Sequence, residues 1–118
     1  MKNHHQGWRR LISAANYSKQ GFISSWHSEA AIRQELMALL VLLPLAFWVD
    51  VSAVERALLV LSLMLVLVVE LLNTGLEAVV DRIGSEYHEL SGKAKDIGSA
   101  AVLTMLVTAL LVWSIILI

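Results

Sequence analysis

The final stretch of the chain, residues 97–118, carries no charged side chain. As an α-helix it would reach about 33 Å, enough to cross the hydrocarbon of a bilayer. Two earlier stretches read the same way. Leu36 to Val49 is free of charge, and a helix starting near Glu29 gives a first span over 29–49. Ala57 to Val69 has only Ser62 as a polar position, inside a second helix over 53–81. That helix is about 40 Å long, so it crosses the bilayer and projects beyond it as a stalk. Composition agrees, with 58% hydrophobic and 16% charged positions and a mean hydropathy of +0.70. Soluble domains carry roughly 25% charge. The expected fold is therefore an all-α membrane protein with three transmembrane helices.

With 118 residues the chain is read as a single domain, 1–118. A domain this small builds little private core, which favours oligomerisation. A net charge of −1 gives no basic field for nucleic acid. The absence of Cys excludes disulfides, thiol chemistry and Cys-based zinc sites. No short apolar core with a cleavage site precedes Leu36, so insertion is expected to use the mature helices.

Residues 1–28 read as a polar tail followed by an amphipathic helix. His4 and His5 belong to the tail and are taken as non-metal residues. Trp8, Leu11, Ile12, Ala15, Phe22, Ile23 and Trp26 share one helical stripe, while Arg9 and Arg10 lie mainly elsewhere. Beside so apolar a chain, this helix is expected to lie in the membrane interface, with Gly21 a place where it can break. Pro44 is expected to kink the first span, Trp48 to anchor it, and Ser52 to cap the second helix. Residues 82–96 read as a polar loop punctuated by Gly84, Ser85, Ser91 and Gly92. In the third span, Thr104, Thr108 and Ser114 can bond to their own helix. Gly98, Ser99, Ala100 and Ala101 make its start narrow enough for close packing. Lys2, Arg9, Arg10, Lys19 and Arg33 before the first span, with Arg82, Lys93 and Lys95 after the second, place the N-terminus and the 82–96 loop in the cytoplasm. The C-terminus then faces the opposite side.

The chemistry is expected on the second helix. Glu70 ends an apolar run, and a carboxylate there is costly enough to mark function. Glu70, Asn73, Glu77 and Asp81 fall within roughly an 80° arc of one helical face and extend over about 16 Å. The alternative, a polar stripe pairing with other subunits, accounts for one carboxylate better than for three and an Asn. Glu29 can pair with Glu77 around a hard cation, or can serve only as a helix-dipole charge; the residues leave both open. Lys93, Lys95 and Asp96 lie beside the third span, where a Lys can neutralise phosphate or simply flank the membrane. His27 and His88 show no ligand spacing. Neither GxxxxGK[ST] nor GxGxxG occurs, so there is no Walker-type or Rossmann phosphate cradle.

The run E-x-x-N-T-x-x-E-x-x-x-D from Glu70 to Asp81, joined to GSEYHELSGKAKD and preceded by EAAIRQE and WVDV, closely resembles the prokaryotic diacylglycerol kinase family over nearly the whole chain. Gly75 departs from the Ser or Ala of that pattern. The resemblance implies a homotrimeric, multi-pass kinase of the bacterial inner membrane that moves the γ-phosphoryl group of ATP to diacylglycerol, giving phosphatidic acid. It implies Glu70 as general base with Asn73 beside it, and Glu29 and Glu77 as magnesium ligands. The implied nucleotide contacts are Arg10, Tyr17, Glu29, Glu77, Glu86, Tyr87, His88, Lys95 and Asp96. The implied lipid contacts begin on the first helix with Ala14, Ala15, Asn16, Tyr17, Ser18, Lys19, Ile23, Ser24, Ser25 and Trp26. They continue through Ala31, Ile32, Arg33, Gln34 and Glu35, then Trp48, Val49, Asp50 and Val51. Arg56, Glu70, Ser99 and Trp113 complete them. An undecaprenol kinase of the same superfamily would use the same catalytic set. A small ion channel or proton-coupled transporter would instead place Glu70 in a conduction path and consume no ATP.

Overall fold

The structure, a computed structural model, describes residues 7–83 and 88–118. His4, His5, Gly84, Ser85, Glu86 and Tyr87 therefore lie outside the described residues. Four helices follow one another: α1 (Trp8–Ser28), α2 (Ala30–Trp48), α3 (Ala53–Ile83) and α4 (Glu89–Leu117). The last three are long and apolar enough to cross a membrane. α3 packs most extensively on α4, then on α2, and α1 meets the start of α2.

Each junction has a local cause. Only Glu29 separates α1 from α2, and its extended backbone (φ −125°, ψ 114°) makes the corner. Arg33 reaches back across that corner and donates to the carbonyls of Trp26 (2.6 Å) and His27 (3.4 Å). These are end-of-helix carbonyls with no partner inside α1. Gly21 sits within a continuous α1 and does not break it. Pro44 likewise lies inside α2 without ending it.

Ser52 opens α3 with a reciprocal cap. Its hydroxyl accepts from Glu55 N–H (3.1 Å), and its own N–H donates to Glu55 Oε1 (3.0 Å). Arg56 donates to the Ala46 (2.7 Å) and Val51 (3.3 Å) carbonyls, closing the turn between α2 and α3.

The expected loop over 82–96 is shorter than the sequence suggests, because α4 begins at Glu89. Nδ1 of His88 accepts from Leu90 N–H (3.1 Å), and this cap starts the helix ahead of Ser91 and Gly92. Ser91 and Gly92 carry low helix propensity, which the cap and the packing of α4 on α3 override.

The core is a ladder of Ile32 and Leu39 from α2 with Leu63 and Leu67 from α3, flanked by Leu36, Leu43, Leu71 and Trp113. Within the apolar zone, Trp113 Nε1 donates to Ser62 Oγ (3.1 Å), and Ser62 Oγ donates to the Leu59 carbonyl (2.8 Å). Thr104 and Thr108 bond back to Ala100 and Thr104 carbonyls, as their placement in an apolar helix requires. Large apolar side chains such as Leu40, Phe47, Leu72, Leu103, Leu110 and Ile115 remain exposed on the outer faces. In water such a surface would drive association; in a membrane protein it suits lipid or another subunit.

Candidate functional site

The carboxylate face of α3 is intact along its whole length. Glu70 is buried at 9% exposure where the apolar run ends. Asn73 and Glu77 are half-buried and Asp81 is exposed, so the face grades from protein interior to surface. Asn73 Nδ2 donates to Glu77 Oε1 (2.9 Å). Thr74, one turn after Glu70, donates its hydroxyl to the Glu70 carbonyl (2.9 Å).

A cleft of about 580 Å³ opens between α1 and α3. Glu29, at the corner, and Glu77, on the stalk, both line it, together with Asp81, Thr74 and the α1 hydroxyls of Ser18, Ser24, Ser25 and Ser28. Two carboxylates 48 positions apart in sequence are thus brought to one cavity. Glu29 and Glu77 also lie close enough to Glu70 for their charges to repel its own. Among the described residues none of the three is salt-bridged. Uncompensated carboxylates gathered on one cleft favour a bound cation. Hard oxygens from one or two side chains suit magnesium, which keeps water and phosphate oxygens in its shell. Among the described residues, no group of three or more His, Cys, Asp or Glu forms a closed all-protein metal site.

Lys95 on α4 pairs with Asp81 on α3 at 2.6 Å. The hydrogen bond to this carboxylate holds the Lys95 ammonium above its ordinary value of 10.5. The raised value means that Lys95 stays charged through neutral pH, and its side of the pair is lost as pH rises past the shifted titration. Lys95 thus brings a permanent positive charge to the edge of the carboxylate face. Asp96 stands beside it, exposed.

Other expected residues fall into three groups. Ser18, Ser24 and Ser25 line the cleft, although the Ser25 hydroxyl is bonded to the Gly21 carbonyl (2.8 Å). Ala14, Ala15, Asn16, Lys19, Ile23, Trp26, Ala31, Gln34, Trp48, Asp50 and Ser99 are exposed, while Glu35, Val49 and Val51 are half-buried. Arg10 and Tyr17 stand on the exposed face of α1 and do not line the cleft.

The third group needs correction or redefinition. Ile32, expected among lipid contacts, is fully buried in the α2–α3 core and cannot touch lipid. Arg33 and Arg56 direct their guanidinium groups to helix-end carbonyls. Trp113 turns its indole N–H inward to Ser62. The His88 ring is the α4 cap. Glu86 and Tyr87 lie outside the described residues.

Sequence reasoning misses Thr74 and Ser28 as cleft residues; the spacing of Thr74 from Glu70, one turn on, is the signal that points to it. Gly75, the departure from the family pattern, also lines the cleft, and a Cβ there would meet no heavy atom within 4 Å. The position therefore tolerates the Ser or Ala of that pattern sterically.

A sequence profile described as prokaryotic diacylglycerol kinase matches residues 16–117. The chain is 55% identical over 117 residues to the diacylglycerol kinase of Escherichia coli K12, covering 99% of this chain and 96% of that protein. It is 46% identical over 111 residues to the diacylglycerol kinase of Pseudomonas aeruginosa, covering 94% and 90%. With that of Haemophilus influenzae it shares 45% identity over 107 residues, covering 91% of each.

Proposed function

This chain belongs to the prokaryotic diacylglycerol kinase family, and we propose that its carboxylate face transfers the γ-phosphoryl group of ATP to the free hydroxyl of diacylglycerol, giving phosphatidic acid and ADP. The enzyme is a membrane-embedded lipid kinase. The observation that carries the site assignment is the convergence of Glu29, Glu77 and Asp81 on one cleft beside buried Glu70.

Phosphoryl transfer demands positioning and charge neutralisation more than covalent chemistry. Glu70 sits where the apolar run gives way to polar sequence, the level at which a lipid hydroxyl resides. Its carboxylate takes the hydroxyl proton as the lipid oxygen bonds to the γ-phosphorus. The bond from that phosphorus to the β–γ bridging oxygen breaks, and ADP departs with the electron pair. Asn73 holds Glu77 in place through its amide hydrogen bond. Glu29 and Glu77 would hold magnesium, which would supply neutralisation of phosphate charge. Lys95, anchored by Asp81, adds positive charge on the nucleotide side, with Asp96 next to it. Arg10 and Tyr17 are proposed to reach the nucleotide from outside the cleft, Glu86 and Tyr87 to contact it, His88 to do so with the ring edge that does not cap α4, and the exposed α1 and turn residues to meet lipid.

The N-terminus and the α3–α4 connection face the cytoplasm and the C-terminus the periplasm, in the bacterial inner membrane, as the Lys and Arg distribution supports. The chain works as a homotrimer, in which other subunits cover the exposed apolar faces and wall the open cleft. Cross-linking in native-like lipid should capture trimers; recovery of monomer alone would contradict this arrangement.

The substrate is tested with purified protein in mixed micelles with ATP, magnesium and either diacylglycerol or undecaprenol. Phosphatidic acid should form and undecaprenol should react poorly. Preference for undecaprenol would reassign the substrate within the superfamily, and ATP-independent ion flux in liposomes without kinase activity would overturn the reading.

A further inference from the structure

Asn73 does more than touch Glu77. Its amide nitrogen donates to Glu77 Oε1 at 2.9 Å, which fixes the direction of the whole amide group. Turning the amide over would set its oxygen against the Glu77 carboxylate, acceptor against acceptor. Held as it is, Asn73 Oδ1 is buried with no hydrogen-bond partner among the described residues. It faces Gly98, a buried residue in α4. A Cβ added to Gly98 would overlap Asn73 Oδ1 and stand 3.2 Å from both Asn73 Cγ and Leu76 Cδ2.

We infer that Gly98 is a positioning residue for the phosphoryl-transfer site: its missing side chain is the space in which the Asn73 amide is locked, and through Asn73 it aims Glu77. This rests on the kinase reading for its catalytic consequence and on geometry alone for the interlock. The contact lies one helical turn from Lys95, so the same close approach that seats Asn73 also sets Lys95 opposite Asp81. A methyl at position 98 displaces the Asn73 amide oxygen, and rotating the amide away from it strains the bond that its nitrogen makes to Glu77.

The test is a double-mutant cycle of Gly98→Ala and Asn73→Ala, read in two ways. By propensity alone, Ala favours a helix over Gly, so a loss of stability in Gly98→Ala reports the overlap. The single variant should show a lower thermal midpoint in detergent, and shortening residue 73 in the double variant should restore it. In turnover assays Gly98→Ala should lose about a hundredfold in kcat, the scale of a misplacement of about 1 Å. It should also need more magnesium for half-maximal rate. In the Asn73→Ala background, adding Gly98→Ala should change kcat no further. A parental midpoint and kcat for Gly98→Ala, or a midpoint that Asn73→Ala fails to restore, overturns the interlock. The midpoint arm needs no activity, so it decides the interlock even if no lipid alcohol is phosphorylated.

Discussion

Glu70→Gln should fold as well as the parent protein and lose about 10²- to 10⁴-fold in turnover, the range expected when a general base is removed. Gln keeps the shape and burial of Glu and deletes only the charge and the ability to take a proton. Glu70 is 9% exposed, and Glu29 and Glu77 lie close enough to repel its charge. Neutralising it therefore relieves repulsion and removes a charge from a poorly solvated place, so the thermal midpoint should stay level or rise. A stability gain paired with loss of activity is the signature of a group kept for chemistry rather than for folding. Near-parental turnover of Glu70→Gln in micelles with diacylglycerol would remove it as the base, whatever the stability result.

That face is legible in the amino-acid sequence, because helical spacing alone puts Glu70, Asn73, Glu77 and Asp81 on one side of one helix. The spans are legible for the same reason: the lack of charge over residues 97–118 is a local property that needs no partner. What sequence does not supply is register between helices. The meeting of Glu29 with Glu77 depends on a one-residue corner between α1 and α2, stapled by Arg33. The pairing of Lys95 with Asp81 and of Gly98 with Asn73 depends on how far α4 slides along α3. Ser91 and Gly92 read as breakers and so misplace the start of α4, whereas the His88 cap and the α3 surface together extend the helix back to Glu89. Ile32 falls between Ala31 and Arg33 in the expected lipid contacts, although only one of any three consecutive helical positions need face the core. Small residues at the start of α4 signal close packing without naming what is packed there.

Glu29→Gln and Glu77→Gln should each lower turnover and shift magnesium activation to higher concentration, by about 10- to 100-fold or more. Glu29 is an isolated corner residue on the cleft, whereas Glu77 also accepts the Asn73 amide. Gln at 77 can still accept that hydrogen bond through its side-chain oxygen, so the amide stays seated and only the charge is lost. The two variants should consequently resemble each other in magnesium dependence despite their different local bonding. Because both would serve one cation, their combined effect should fall short of the product of the separate effects. Removing either charge also relieves repulsion on Glu70, so neither variant should unfold more readily than the parent. Magnesium titrations of the initial rate at saturating ATP, on the parent, both singles and the double, separate the possibilities. Activation curves that overlay the parent's would show that the cleft carboxylates do not hold the cation. Strictly multiplicative losses would show that Glu29 and Glu77 serve different ligands in the same cavity.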